Sequence, residues 1–105
     1  MNSIKISEAQ TKVDSLIQNM GGYWPPLSML ASITEELGEL AREINALEKF
    51  KPKKADEKPK TIAEELGDTL FSIICVANHY SVDLGTALEG VIEKYSVRDR
   101  TRFKK

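Results

Sequence analysis

Apolar residues recur every three or four positions in four stretches of the chain, and no stretch reads convincingly as a strand. This spacing is typical of amphipathic helices. The first predicted helix begins at Ser7, which opens the capping box Ser7-Glu8-Ala9-Gln10, and it ends at Gly21-Gly22. The connector Tyr23-Trp24-Pro25-Pro26 follows, and its consecutive prolines disallow helix there.

The second predicted helix is capped by Ser28 and runs to about Lys49. A charged segment, residues 51–60, separates it from the third helix. Thr61 opens that third helix with a second capping box, which ends at Glu64.

The third helix is broken after Tyr80, and Asp83 is expected to cap a fourth helix from Leu84 to about Tyr95. The remaining residues, 96–105, form a basic tail that either extends the fourth helix or folds over the functional site. Four helices joined by short loops predict an all-α, four-helix bundle-like protomer in a single domain spanning residues 1–105.

The predicted core is thin for a protein that works alone. A chain of 105 residues buries only about two thirds of its unfolded surface. The third helix carries a main apolar stripe through Ile62, Leu66 and Leu70, and a second apolar face through Phe71 and Cys75. A helix that is apolar on two sides fits the middle of a larger assembly, so we expect a homodimer or a dimer of dimers.

The most informative feature is a repeated acidic motif. Ile33-Thr34-Glu35-Glu36-Leu37-Gly38-Glu39 in the second helix is nearly repeated as Ile62-Ala63-Glu64-Glu65-Leu66-Gly67-Asp68 in the third. Each copy has two carboxylates at positions i and i+3, which project from the same face of a helix. Two such helices packed side by side would bring four carboxylates together: Glu36, Glu39, Glu65 and Asp68.

Helical geometry distinguishes these acids from their neighbours. Glu36 and Glu39 lie along the flank of the apolar stripe of the second helix, whereas Glu35 points away from it. Asp68 heads the second apolar face of the third helix, where an acid is expensive to bury unless a cation meets it. Oxygen donors without a nearby His or Cys favour Mg²⁺, or Mn²⁺, over zinc. A di-iron site would need Glu-x-x-His motifs, and the chain has none at these positions.

Bulk properties narrow the class of partner. The net charge of -1 gives no general affinity for nucleic-acid polymers or anionic membranes. No apolar stretch approaches the ~20 residues that span a bilayer, and the start of the chain lacks a signal-peptide core. We therefore expect a cytoplasmic protein. The single cysteine, Cys75, is expected to be a small buried hydrophobe, and the basic clusters at 51–60 and 94–105 suit a small polyanion.

From about Trp24 through Phe103, the chain resembles the MazG-type nucleotide pyrophosphohydrolases. The resemblance lies in the two acidic motifs, in the continuation Leu70-Phe71-Ser72, and in the terminal Lys94-Tyr95, Arg98 and Arg102-Phe103. The resemblance implies Mg²⁺-dependent hydrolysis of a nucleoside triphosphate to the monophosphate and pyrophosphate by a dimer or tetramer. It implies that all four acids ligate metal. A carboxylate that metal does not saturate, Glu39 or Glu36, would act as general base.

Several other residues are candidates for contact with the substrate. Lys94, Arg98 and Arg102 fall on one face of a continuing helix and would bind the triphosphate, or they form a solvated basic helix end. The loop lysines Lys53 and Lys54 would reach the same phosphates, or they belong to a merely charged loop. Trp24 would stack on a nucleobase, or it anchors a core or an interface.

Two other functions compete with this one. The first is a phosphoribosyl-ATP pyrophosphohydrolase-like activity, because that family shares the bundle and the acidic helices. The second is a non-catalytic helical dimerisation or regulatory module.

Many members of the MazG-type family carry an Asn in the fourth helix where this chain has Ile92, so base or sugar recognition is expected to differ.

Overall fold

The structure is a computed structural model, and it describes residues 3–48 and 61–102, with side chains as far as residue 98. The described residues form four helices and no strand. These are α1 (Ile6–Asn19), α2 (Pro26–Leu47), α3 (Ile62–His79) and α4 (Leu84–Arg102). The predicted all-α class and the order of the helices are confirmed.

The first two helices begin earlier than the sequence predicts. Lys5 precedes α1 and makes no capping hydrogen bond with its side chain, and Ser7 lies inside the helix, so the predicted capping box is wrong. Helix α2 begins at Pro26, directly after Pro25. Proline suits the first helical position because its missing N–H would have no partner there and its φ is already helical. The predicted cap, Ser28, is therefore an ordinary helical residue.

The starts of the last two helices are confirmed. The side chain of Thr61 accepts a hydrogen bond of 3.0 Å from the backbone N–H of Glu64. Asp83 does the same for Thr86, also at 3.0 Å. Helix α4 continues to Arg102, so the described part of the basic tail extends this helix.

The core lies where α1 and the end of α3 meet the start of α2. Its buried members are Val13, Met29, Ile74 and Cys75, and the burial of Cys75 agrees with its predicted role. Helices α2 and α3 pack along each other and form the most extensive helix pair, while α1 packs against α3.

One glutamine fastens α1 to the turn between α3 and α4. The side-chain amide of Gln10 donates to Asn78 Oδ1 at 3.0 Å and to the carbonyl of Val82 at 2.8 Å. Its carbonyl oxygen accepts from the backbone N–H of Leu84 at 3.0 Å. Since these bonds reach both sides of the turn, Gln10 sets where α4 begins relative to the core.

The apolar stripes of α2 and α3 are largely exposed within one chain. Helices α2 and α3 face each other through the flank that carries the acids, so the leucine stripes point away from this contact. The exposed members are Leu30, Leu37, Ile44 and Leu47 on α2, and Leu66, Leu70 and Ile73 on α3.

Helix α4 is exposed as well, from Thr86 through Arg98. The radius of gyration, 17.1 Å, exceeds the ~13 Å of a compact domain of about 100 residues. None of the helices in the described ranges combines the length and the apolar character that a bilayer crossing requires.

Candidate metal centre and adjoining cavity

Three of the four predicted acids meet between α2 and α3. One carboxylate oxygen each from Glu36, Glu65 and Asp68 lies within 4.8 Å of the other two. Glu65 and Asp68 are one turn apart on α3, and Glu36 faces them from α2, as the paired motifs predict.

The surroundings of these acids are unusual for carboxylates. Glu65 is only 1% exposed, Glu36 is half-buried, and Asp68 remains accessible to solvent. The Oε2 atoms of Glu36 and Glu65 are buried and receive no hydrogen bond from the described residues. Like charges held this close, with part of their solvation removed, repel one another, and other interactions of the three side chains offset part of this repulsion.

A divalent cation would offset that repulsion. Carboxylate oxygens are the ligands that hard cations such as Mg²⁺ prefer, and three of them converge here from two rigid helices. The donor set therefore fits the predicted kind of metal.

The fourth predicted acid, Glu39, is exposed and lies outside this group of three. Met29, near the start of α2, packs in one cluster with Cys75, near the end of α3. Glu36, further along α2, meets Glu65 near the start of α3, so the two helices run antiparallel. One turn beyond Glu36, Glu39 is accordingly displaced toward the beginning of α3. Its role as a ligand or as a base stays a prediction.

A cavity of about 280 Å³ opens directly beside the acids. Glu36 belongs both to its wall and to the group of three acids. Most of the wall is apolar, from Met20, Met29 and Phe71, and Trp24 closes one side with 64% of its surface exposed. A mostly apolar pocket with a few polar groups is the usual form of a small-molecule site.

Two serines of the cavity wall were not among the predicted site residues. Ser32 precedes Glu36 by four residues on α2, and Ser72 follows Asp68 by four residues on α3. Residues at this spacing share a helix face, so the acidic motifs already carried the signal that places both hydroxyls. Cys75 also lines the cavity, and burial raises the pKa of its thiol.

Tyr23, next to Trp24, also lines the cavity and is held by contacts with α1 and α3. Tyr23 donates a short hydrogen bond of 2.6 Å from its hydroxyl to Asp14 Oδ1, and its ring meets His79 edge-on at 6.5 Å between centroids. Burial, together with the hydrogen bond to Asp14, raises the pKa of Tyr23 to about 12.

Two of the predicted phosphate-binding residues lie outside the cavity wall. Lys94 and Arg98 are exposed on α4, where both stack on the ring of Tyr95, with Nζ 5.1 Å and Cζ 4.3 Å from its centroid. Neither lines the cavity. The loop lysines Lys53 and Lys54, and the side chain of Arg102, fall outside the described residues. Their contacts with substrate stay predictions.

The all-α fold, with acids from two packed helices beside an apolar cavity, can be compared with the folds and sequences of known protein families. The chain belongs to the MazG nucleotide pyrophosphohydrolase family, whose domain model matches residues 25–103. The predicted family is thereby confirmed, and with it the class of hydrolase.

Individual relatives agree with this assignment. The chain is 44% identical to the protein YpjD of Bacillus subtilis over 104 residues, which cover 98% of this chain and 94% of YpjD. The crystal structure of YpjD gives a TM-score of 0.79, covering 90% of this chain and 98% of that one. The Bacillus-conserved MazG protein, a nucleotide pyrophosphohydrolase, is 42% identical, with a TM-score of 0.75 over 90% of this chain and 93% of its own.

A more distant structure shares the fold alone. The protein iMazG from Vibrio DAT 722 is 24% identical, with a TM-score of 0.58 that covers 97% of this chain and 100% of that chain.

Proposed function

We propose that this protein hydrolyses a nucleoside triphosphate to the monophosphate and pyrophosphate, with Mg²⁺ as the metal and Mn²⁺ as a substitute. One observation carries the proposal: Glu36 is shared between a convergent group of three acids and a mostly apolar cavity. A metal-bound triphosphate and an attached nucleoside need such a juxtaposition, because one end of the substrate is charged and the other is largely apolar.

The three convergent acids would hold the metal. When bound there, the ion would neutralise charge on the triphosphate and lower the pKa of a coordinated water. Glu36 and Glu65 contribute oxygens that the fold has already desolvated, and Asp68 contributes an oxygen on the solvent side. The accessible side is the direction from which phosphates would approach.

Glu39 is our candidate for the general base, with Glu36 as the alternative. A carboxylate bound fully to metal has no free oxygen for a proton, and Glu39 lies outside the convergent group. Glu39→Gln should lower kcat by a factor of about 10² or more, with metal binding retained. Glu35→Gln is the matched control, because Glu35 is an exposed glutamate on the same helix. Equal activity of the two variants would refute this role.

The cavity would receive the nucleoside. Trp24 offers an indole face for stacking on the base, and Ser32 and Ser72 offer hydroxyls that can donate or accept hydrogen bonds. Trp24→Ala should raise KM for nucleotides, and Trp24→Phe, which retains an aromatic face, should raise it less.

The basic residues of α4 and of the preceding loop would bind the triphosphate. These are Lys94, Arg98, Arg102, Lys53 and Lys54. Because Lys94 and Arg98 are absent from the cavity wall of their own chain, we propose that α4 reaches the substrate of a neighbouring copy. Mixing an inactive Asp68→Asn chain with an inactive Arg98→Ala chain should then restore activity in mixed oligomers. Failure of exchanged mixtures to regain activity would refute this arrangement.

The exposed apolar surface supports a dimer or a tetramer. Leu70, Ile73, Leu88 and Val91 line a second cavity of about 380 Å³ between α1, α3 and α4. Exposed apolar surface of this kind is typical of protein interfaces. Leu70→Asp should lower the mass measured by sedimentation velocity. An unchanged mass would place the interface elsewhere.

The decisive experiment is a panel of canonical and modified nucleoside triphosphates with Mg²⁺ or Mn²⁺, in which monophosphate and pyrophosphate are both measured. Equal amounts of the two products are expected, and both should disappear in Asp68→Asn. Release of orthophosphate would reject cleavage between the α and β phosphates. Turnover confined to phosphoribosyl-ATP would favour that alternative activity, and metal binding without any turnover would favour a non-catalytic module.

A further inference from the structure

The connector between α1 and α2 is bounded by two glycines on one side and two prolines on the other. Gly21 and Gly22 have φ values of 105° and 99°, which favour glycine, and they end α1. Pro25 and Pro26 then restrict the chain before α2. Between these two pairs, Tyr23 makes no backbone–backbone hydrogen bond within the described residues, and neither does Trp24. The position of the connector therefore depends on side chains.

Tyr23 supplies that anchor. Its hydroxyl reaches back to Asp14 on α1 at 2.6 Å, and its ring contacts His79 at the end of α3. Its ring also packs against the buried core. The next residue, Trp24, is 64% exposed and lines the cavity beside Glu36. Tyr23 itself also lines the cavity, so the anchored tyrosine and the exposed indole of Trp24 are neighbours in one wall.

We propose that the hydrogen bond between Asp14 and Tyr23 positions Trp24 and thereby sets the affinity of the cavity for the nucleoside part of the substrate. The proposal rests on the function proposed above. Asp14 and Tyr23 are positioning residues, because they act through Trp24 and stand apart from the acids that would hold the metal.

The bond suits this task across the physiological pH range. With its pKa raised to about 12, Tyr23 keeps its proton and remains a donor. A bond from a hydroxyl to a carboxylate is charge-assisted, and the observed length falls in the range of such bonds. Loss of the hydroxyl leaves the ring and its packing in place, so the effect should appear as greater freedom of the connector rather than as loss of the fold.

Trp24 itself reports on this freedom, because it is the only tryptophan of the chain. In the ligand-free protein, Tyr23→Phe and Asp14→Ala should lower the fluorescence anisotropy of Trp24 and increase its quenching by acrylamide. Asp14→Asn, which keeps an acceptor oxygen, should restore much of the loss. Tyr80→Phe is the matched control, because Tyr80 is 59% exposed and is not part of the cavity wall. Unchanged anisotropy in both Tyr23→Phe and Asp14→Ala would overturn the positioning role.

The functional part is tested by comparing two ligands in calorimetry with Mg²⁺. One is an α,β-methylene nucleoside triphosphate, and the other is inorganic tripolyphosphate, which has no nucleoside. In Tyr23→Phe, affinity for the nucleotide should fall about five- to tenfold, while affinity for tripolyphosphate stays unchanged. Turnover should show a raised KM with an unaltered kcat. Equal losses for both ligands, or none for either, would overturn the proposal.

A double-mutant cycle distinguishes action through Trp24 from a general loss of stability. In a Trp24→Ala background, Tyr23→Phe should cause no further loss of nucleotide affinity, because the residue through which it acts is gone. A full additional loss would overturn action through Trp24. Should the unmodified protein cleave no nucleotide while the anisotropy changes occur as expected, the proposed function fails and the positioning of Trp24 stands.

Discussion

Replacing Glu65 with glutamine removes one negative charge from the group of three acids and keeps the shape of the side chain. Glu65 is the largest fully buried side chain among the described residues. The new amide can donate hydrogen bonds to the carboxylates of Glu36 and Asp68, whose oxygens lie within 4.8 Å. The substitution therefore tests charge and metal binding with little change in packing.

The magnitude follows from Coulomb's law. At an effective dielectric constant of about 20, two unit charges 4.8 Å apart repel each other by about 3 kcal/mol. Glu65→Gln removes two such pairs. Solvent screening at accessible Asp68, and further interactions of the three acids, reduce the net gain, so we expect about 1–3 kcal/mol. Since 1 kcal/mol shifts Tm by about 4–8 °C in a domain of this size, the metal-free variant should melt several degrees higher than the unmodified protein.

The assay is thermal unfolding with EDTA and with millimolar Mg²⁺. Metal at 100 times its Kd adds about 2.7 kcal/mol to the stability of the unmodified protein. Glu65→Gln should lose most of this increment, and Glu35→Gln should behave like the unmodified protein in both conditions. The reasoning is refuted if Glu65→Gln melts lower without metal, or if Mg²⁺ stabilises it as much as the unmodified chain.

Three further predictions concern side chains around the site. The pKa of Tyr23 is raised from 10.0 to about 12, so between these pH values the folded chain retains a proton that the unfolded chain loses. The contribution of this proton to stability is complete below pH 10 and is lost toward pH 12. The urea midpoint of the unmodified protein should therefore fall across this window relative to that of Tyr23→Phe, and an unchanged difference between the two would contradict the prediction. Burial raises the pKa of Cys75, so iodoacetamide should alkylate it slowly in the native protein and rapidly in urea, with equal rates as the contrary result. Thr61→Ala removes the cap of α3 and should cost about 1 kcal/mol in urea unfolding, whereas a loss near zero would show that Glu64 finds another partner.

The sequence predicted the helices and the convergence of three of the four acids, because both depend on local periodicity. The i, i+3 spacing of Glu65 and Asp68 places them on one face whatever surrounds the helix. The same reasoning could not determine the register between α2 and α3. That register decides which turn of α2 meets Glu65 and Asp68: Glu36 does, and Glu39, one turn further along α2, lies outside the group.

Burial was predicted less well than helix formation. Hydrophobic periodicity marked the leucine stripes of α2 and α3, yet within one chain Leu37 and Leu70 are 50% and 52% exposed. Hydrophobic periodicity identifies a face that avoids water, but it does not identify the neighbour that covers it. The hydrogen bond between Asp14 and Tyr23 could not be predicted from the sequence either, because Asp14 lies in α1 and Tyr23 lies in the connector after it, so helical periodicity does not relate them.

The placement of the acids on two consecutive helices affects how the chain folds. Helices α2 and α3 form the most extensive contact of the molecule and are joined by one intervening segment, so closing this hairpin costs little loop entropy and is a natural early event. The buried carboxylates lie within that early contact, where their repulsion raises the barrier to closure. A divalent cation held by these acids would remove this penalty, so it would also speed the refolding of the chain.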